Sequence, residues 1–200
     1  MTFAFCRRHL GIEEVFFHHD YNNTVDSDIA LLKLAHPLNL STYTPICLPE
    51  RNSMFVGSTA WVYGWGLMGT EGWDNHTAIA LQETTVQVIS NQQCNKTEHW
   101  PGAEDTGILP SQLCAWTEGQ DSCSGDSGGP LSLEGQDGRH LLIGIVSFGE
   151  QFCGGVAPSS AESLLIVMFQ AKAGVYSNVS SFRDWIDTTI QNNGGAAFCD

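Results

Sequence analysis

Basic side chains are scarce in this chain. Lys and Arg number 8 against 22 Asp and Glu, which gives a formal charge of −14 over 200 residues. Phosphate recognition needs a basic face, so the balance excludes nucleic acid as a partner and argues against docking on anionic membranes. A cationic substrate suits such a field, though acidity also serves solubility alone. Long apolar runs are missing too. The longest, Leu164–Phe169, falls far short of the roughly 20 residues that span a bilayer. No secretory leader is read at the start, because the apolar stretch within Met1–His9 is short and Arg7 and Arg8 follow it rather than precede it. None of the 7 cysteines forms a C-x-x-C pair, which removes zinc ribbons and thioredoxin-type chemistry. The 21 glycines and 7 prolines are dispersed, so low-complexity disorder is excluded as well.

What is present points outward from the cell. Cys6, Cys47, Cys94, Cys114, Cys123, Cys153 and Cys199 are spread along the chain, as disulfides in an oxidising compartment require. The odd number leaves one without an internal partner. N-x-S/T sequons stand at Asn22, Asn39, Asn75, Asn95 and Asn178. That density in a chain of this length reads as a secreted glycoprotein. The length allows one domain, or one domain with a fragment of another.

Short strands separated by turn residues dominate the pattern. Ile29–Leu34 is an apolar run ended by His36-Pro37. Thr59–Tyr63 ends at Gly64-Trp65-Gly66, and Leu81–Ile89 sets Leu81, Val86 and Val88 among polar neighbours. Leu141–Phe148 is continuously apolar, and Gly174–Val179 is a further candidate. Strands at this spacing predict an all-β barrel or sandwich. One helix is predicted near the end. Ser181 precedes Asp184 by three residues, a capping-box-like start, and Phe182, Trp185, Ile186 and Ile190 follow at helical spacing. Asn192-Asn193-Gly194-Gly195 should end it.

The strongest chemical signal is Gly125-Asp126-Ser127-Gly128-Gly129-Pro130. Serine is a weak nucleophile unless it is exposed beside a base. Flanking glycines permit a tight turn that aims the amides of Gly125 and Ser127 at one point, where a tetrahedral oxyanion would form. The string resembles the nucleophile motif of the chymotrypsin/trypsin serine protease family. Other stretches are similar to the same family in the same order: Asp26–Leu32, Pro45-Ile46-Cys47-Leu48-Pro49, Gly64-Trp65-Gly66, Gly174-Val175-Tyr176 and Trp185-Ile186. The resemblance covers roughly residues 12 to 190.

That resemblance implies a chymotrypsin-like double Greek-key β-barrel with its first barrel incomplete and a helix at its end. Residues 1–190 would be a partial peptidase domain, and 191–200 a tail. It implies that Asp28, rather than Asp26, is the triad carboxylate and that Ser127 is the nucleophile. Gly125 and Ser127 would form the oxyanion hole. Asp121 would be the floor of the primary pocket and select Arg or Lys, with Ser147, Phe148, Gly149 and Gly174 lining the substrate side. Phe148 stands where the family has tryptophan. Polypeptides with Arg or Lys at the cleavage site, and protease inhibitors, are the implied partners. No metal or other cofactor is implied.

Three departures matter. The family's inter-strand disulfide is replaced by Ala60 and Leu133, both partners together. The stretch from Cys153 to Lys172 is longer than the family norm and contains Leu164–Phe169, which reads as a gene-model or splicing insertion rather than a lid. The Thr-Ala-Ala-His-Cys and Ile-Val-Gly-Gly segments are absent, so the chain is expected to be truncated before the catalytic histidine. His9, His18, His19, His36, His76, His99 and His140 all lack that context, and His18 and His19 are expected as exposed loop residues. A non-catalytic homologue that binds partners through the old substrate face, and a non-functional product of an incomplete transcript, are the rival readings. The family's disulfide positions pair Cys94 with Cys114 and Cys123 with Cys153. They send Cys47 to an upstream cysteine absent here and leave Cys6 and Cys199 unassigned. Peptide mapping without reduction should recover both pairs. A peptide joining Cys123 to any other cysteine would overturn the assignment.

Overall fold

The computed structural model describes residues 9–21, 25–68, 76–95, 107–149, 153 and 173–195. Two strands stand apart. β1 (Ile12–Phe17) and β2 (Ala30–Leu34) pair antiparallel as a sheet of their own, with Phe17 opposite Ala30 and Ile12 opposite Leu34. Much of the apolar surface of this sheet meets solvent, with Phe17 66% and Leu32 58% exposed. Its anchorage is Ile29, buried in a cluster with Val179, Phe182 and Ile186, against which Leu31 also packs.

The remaining strands close on themselves. β3 (Thr59–Gly64), β4 (Gln82–Ile89), β5 (Gln112–Trp116), β6 (Pro130–Glu134), β7 (His140–Phe148) and β8 (Gly174–Asn178) form a six-stranded antiparallel barrel in the order β3-β4-β5-β8-β7-β6. Alternation decides which side chains enter. On β4, Val86 and Val88 are buried while Gln87 between them faces water, as a period of two requires, and the strand's first two residues, Gln82 and Glu83, are both exposed. Closure leaves no free sheet edge in the barrel. Its core gathers Val62, Val86, Leu131, Ile143, Val146 and Tyr176. Ala60 is fully buried in the same cluster and Leu133 packs against it, so apolar contact occupies the place of the absent disulfide.

The predicted strands over 29–34, 59–63, 81–89, 141–148 and 174–179 correspond to β2, β3, β4, β7 and β8. β1, β5 and β6 have no counterpart in the sequence reading. β5 is buried at four of its five positions and shows no alternation, and β6 begins on proline, so neither displays a period-two signature.

Both α-helices among the described residues are short. α1 (Asn91–Cys94) is capped by Ser90, whose Oγ accepts from Gln93 N at 3.1 Å. At the other end a 3₁₀ turn, Val179–Phe182, leads into α2 (Arg183–Asn192). The predicted capping box does not form. The 3₁₀ turn displaces the α-helical start to Arg183, and Ser181 Oγ donates to Pro110 O instead. Asn178 caps the 3₁₀ turn, its Oδ1 accepting from the amide and hydroxyl of Ser180 at 3.2 and 2.9 Å. The apolar face is as predicted, with Phe182 and Ile186 buried. Charges fasten this helix to the connection between sheet and barrel. Arg51 Nε donates to Asp184 at 2.5 Å and its Nη2 to Asp187, while Arg183 bonds both Asp187 and the carbonyl of Pro49.

Cys94–Cys114 and Cys123–Cys153 are both bonded. Cys47 is disulfide-bonded as well, contrary to the expectation that its partner is missing. The unequal burial of the two halves has a measurable consequence. Leu131→Ala, at a side chain with no exposure, should cost about 2–5 kcal/mol. Leu32→Ala should stay within about 0.5 kcal/mol, because that side chain already meets water. Urea denaturation of the two variants tests the contrast; equal losses would contradict it.

Candidate active site

The loop between β5 and β6 is built around one carboxylate. Asp126 accepts from Gly66 N at 2.7 Å through Oδ1 and from Cys123 N at 2.9 Å through Oδ2. The chain turns back on itself here, with Asp126 N donating to Cys123 O and Gly129 N to Asp126 O. Gly128 N and Val146 N close a bonded ring with β7 at Val146 O and Gly129 O. Gly125 sits at φ +101°, a backbone region that L side chains rarely adopt. Two glycines on the β3 side are required by proximity. A Cβ on Gly64 would lie 1.8 Å from Asp126 Oδ1, and one on Gly66 would lie 2.6 Å from Asp126 Cγ. The glycines of Gly64-Trp65-Gly66 therefore admit the Asp126 carboxylate.

Ser127 is exposed at the crest of this turn. Among the described residues, neither its amide nor that of Gly125 donates to a protein acceptor. Amides without a protein acceptor beside an exposed hydroxyl are the kind of donor an anionic oxygen requires.

Asp28 reaches the same place from the other half of the molecule. Ser147 Oγ donates to Asp28 Oδ2 at 2.6 Å, and Ser177 Oγ donates to the Asp28 carbonyl at 2.6 Å. Preceding Asp28, Ser27 lies at φ +51° and is buried. Asp26 turns elsewhere, with Ser111 Oγ 3.3 Å from its Oδ1. Asp28 and Ser127 then wall one cavity of about 440 Å³, with Phe17, Tyr21, Leu32 and Ile145 among the apolar lining.

No described histidine lines that cavity. His18 is not the exposed loop residue expected from sequence. Its side chain is only 9% exposed and packs edge-on to Phe182 and beside Trp185. Burial, and then the neighbouring His19, push its pKa below the usual imidazole value. His19 is exposed, as expected. His140, at the start of β7, pairs with Ser132 Oγ on β6 at 3.1 Å.

The other expected substrate residues do not all converge on this cavity. Asp121 and Gly174 do meet: a Cβ on Gly174 would stand 2.7 Å from Asp121 Oδ1 and 3.1 Å from Tyr176 Oη. Burial, and secondarily the Asp121 charge, raise the Tyr176 phenol well above its ordinary pKa, which keeps it a neutral hydrogen-bonding group. Gly149 lies against Gly174. Phe148 packs with Cys94, Cys114 and Val175 in the interior. Asp121 lines a second cavity, of about 410 Å³, together with Asp126, Cys123 and Cys153. The long stretch 154–172, expected beside this pocket, lies outside the described residues. Sequence reading missed Ser177 and Tyr176 as neighbours of the site. The one available signal was a polar residue, Ser177, following apolar ones on a buried strand.

A barrel and a second sheet that bring an acid and an exposed serine to one cavity, beside unengaged amides, are an arrangement of hydrolytic serine enzymes. The comparisons with known proteins narrow the class. The family model described as Trypsin matches residues 7–186. Serine proteinase stubble of Drosophila melanogaster is 38% identical over 88% of this chain and 20% of its own length. Suppressor of tumorigenicity 14 protein homolog of Bos taurus is 37% identical over 90% of this chain and 19% of its own. Phenoloxidase-activating factor 1 of Holotrichia diomphalia is 37% identical over 91% and 46%. The chain belongs to the trypsin family of serine proteases. It spans less than half the length of each of these relatives.

The packing of Asp126 against Gly66 can be tested directly. Gly66→Ala should push the carboxylate aside and strand the Cys123 amide, at a cost of about 1–3 kcal/mol. A denaturation midpoint equal to that of the unmodified chain would show that the close approach is dispensable.

Proposed function

We propose that this chain carries the nucleophile, acid and oxyanion amides of a serine-type endopeptidase that cleaves after Arg or Lys. Ser127 Oγ attacks the scissile carbonyl, and the Gly125 and Ser127 amides hold the oxyanion that results. Asp28, held by Ser147, orients an imidazole and stabilises its charged form. Asp121 pairs with the cationic side chain of the substrate, which offsets the cost of burying either charge alone. The observation that carries this reading is the single cavity walled by both Asp28 and Ser127. Polypeptides, and inhibitors that mimic them, are the expected partners, and no cofactor is needed. Secretion as a disulfide-bonded glycoprotein fits the sequons, of which Asn39 and Asn95 are exposed.

The same cavity limits the activity of this form. Among the described residues no histidine stands on its wall to take the proton from Ser127 Oγ. Loss of one triad member can cost on the order of a million-fold in rate. That observation also favours a second reading, in which this form binds peptides without cleaving them.

The purified chain should neither turn over an Arg-containing chromogenic peptide nor label stoichiometrically with a fluorophosphonate. Turnover abolished by Ser127→Ala would overturn the inactivity. In a form that does cleave, Asp121→Ser should remove most of the preference for Arg and Lys. A profile favouring aromatic or small apolar residues would overturn the role given to Asp121. Tight binding of Arg peptides without turnover would favour the second reading.

A further inference from the structure

The turn after β1 gathers three metal-binding side chains. His18, His19 and Asp20 each offer one ligand atom, and these atoms lie within 4.8 Å of one another. Asp20 Oδ2 is 3.3 Å from His19 Nε2 and 4.0 Å from His18 Nδ1. Ligands about 2.0–2.1 Å from a tetrahedral zinc stand roughly 3.3 Å apart. The Asp20–His19 pair stands at that spacing in the present rotamers, so the side chains are within reach of one another, and coordination re-forms the spacing once His19 has turned. The turn is held by Tyr21 N donating to His18 O and by Asp20 N donating to His18 Nδ1 at 3.3 Å, and an ion on that nitrogen would take the place of the second bond.

The three side chains divide the work. His18 is the anchored member, its ring held between Phe182 and Trp185 at 5.2 and 5.1 Å. His19 and Asp20 are exposed and touch each other at 3.3 Å. His19 now stacks on His18 with ring centroids 4.4 Å apart. Stacked rings cannot both aim in-plane lone pairs at one ion, so coordination turns His19 out of the stack, which its exposure permits. Two neutral imidazoles and one carboxylate suit a borderline divalent ion, with water completing the tetrahedron. The net charge of −14 draws any cation toward the surface.

We propose that His18, His19 and Asp20 form a zinc-binding site at the edge of the β1–β2 sheet. It is independent of the reaction assigned to Ser127. The turn is also the one that presents Phe17 and Tyr21 to the cavity of Asp28 and Ser127, so an ion there stiffens one wall of that cavity.

The test is calorimetric titration of the whole chain with Zn²⁺ after alkylation of free thiols. One ion should bind per chain with micromolar affinity. His19→Ala and Asp20→Asn, both at exposed positions, should each weaken binding by at least the roughly tenfold that loss of even an outer-sphere partner costs. Cu²⁺ used as a probe should quench tryptophan emission. Trp185→Phe should remove most of that quenching, because Trp185 touches the anchored ring. No heat with Zn²⁺, or binding that survives both ligand substitutions, would overturn the site. So would Cu²⁺ quenching that persists undiminished without Trp185.

Discussion

The Asp126 carboxylate joins parts of the barrel that are distant in sequence. Its two oxygens accept the amides of Gly66 and Cys123, one from the loop after β3 and one from the loop before Ser127. Hydrogen bonds to a charged acceptor are roughly twice as strong as neutral ones. The turn that lifts Ser127 into solvent depends on this pair. So does the glycine content of Gly64-Trp65-Gly66, which makes room for the carboxylate. Among the described residues, the amides of Gly125 and Ser127 meet no protein acceptor.

The two halves of the molecule are stabilised by different physics. The barrel closes, pairs its strands around the full circle and hides apolar side chains on every strand. Among the described residues, the β1–β2 sheet has two free edges and an apolar face that water covers. Its geometry is borrowed from α2, which packs on Ile29, and from Ser147 and Ser177, which hold Asp28 from the barrel side. A carboxylate on a thin sheet is positioned by partners on a thick one.

Most of this was legible in the sequence, and the rest was not for definable reasons. β4 alternates and β7 is a long apolar run between turns, so both announce themselves. β5 is buried along nearly its whole length and β6 starts on proline, so the periodicity that identifies a strand is missing. Asp28 could be separated from Asp26 only by the apolar Ile29–Leu34 run directly after it; in the fold Asp26 lies against Ser111. The burial of His18 was invisible because Phe182 and Trp185, which cover it, lie more than 160 residues further along the chain. The start of α2 was misplaced because Ser181 has a capping sequence but finds Pro110 O closer.

The cap at Asn178 has a consequence for the order of events in the cell. Asn178, Val179 and Ser180 make up a sequon, yet Ser180 is buried, and its hydroxyl binds Asn178 Oδ1 and lies 3.3 Å from the carbonyl of Ser53. A glycosyl-transferring enzyme cannot open that tripeptide without undoing the 3₁₀ turn and the seating of α2. In a cell that exposes this chain to such an enzyme, modification and folding would compete at this position. A sugar there would mark a chain reached before β8 closed the barrel, and a bare Asn178 one that folded first.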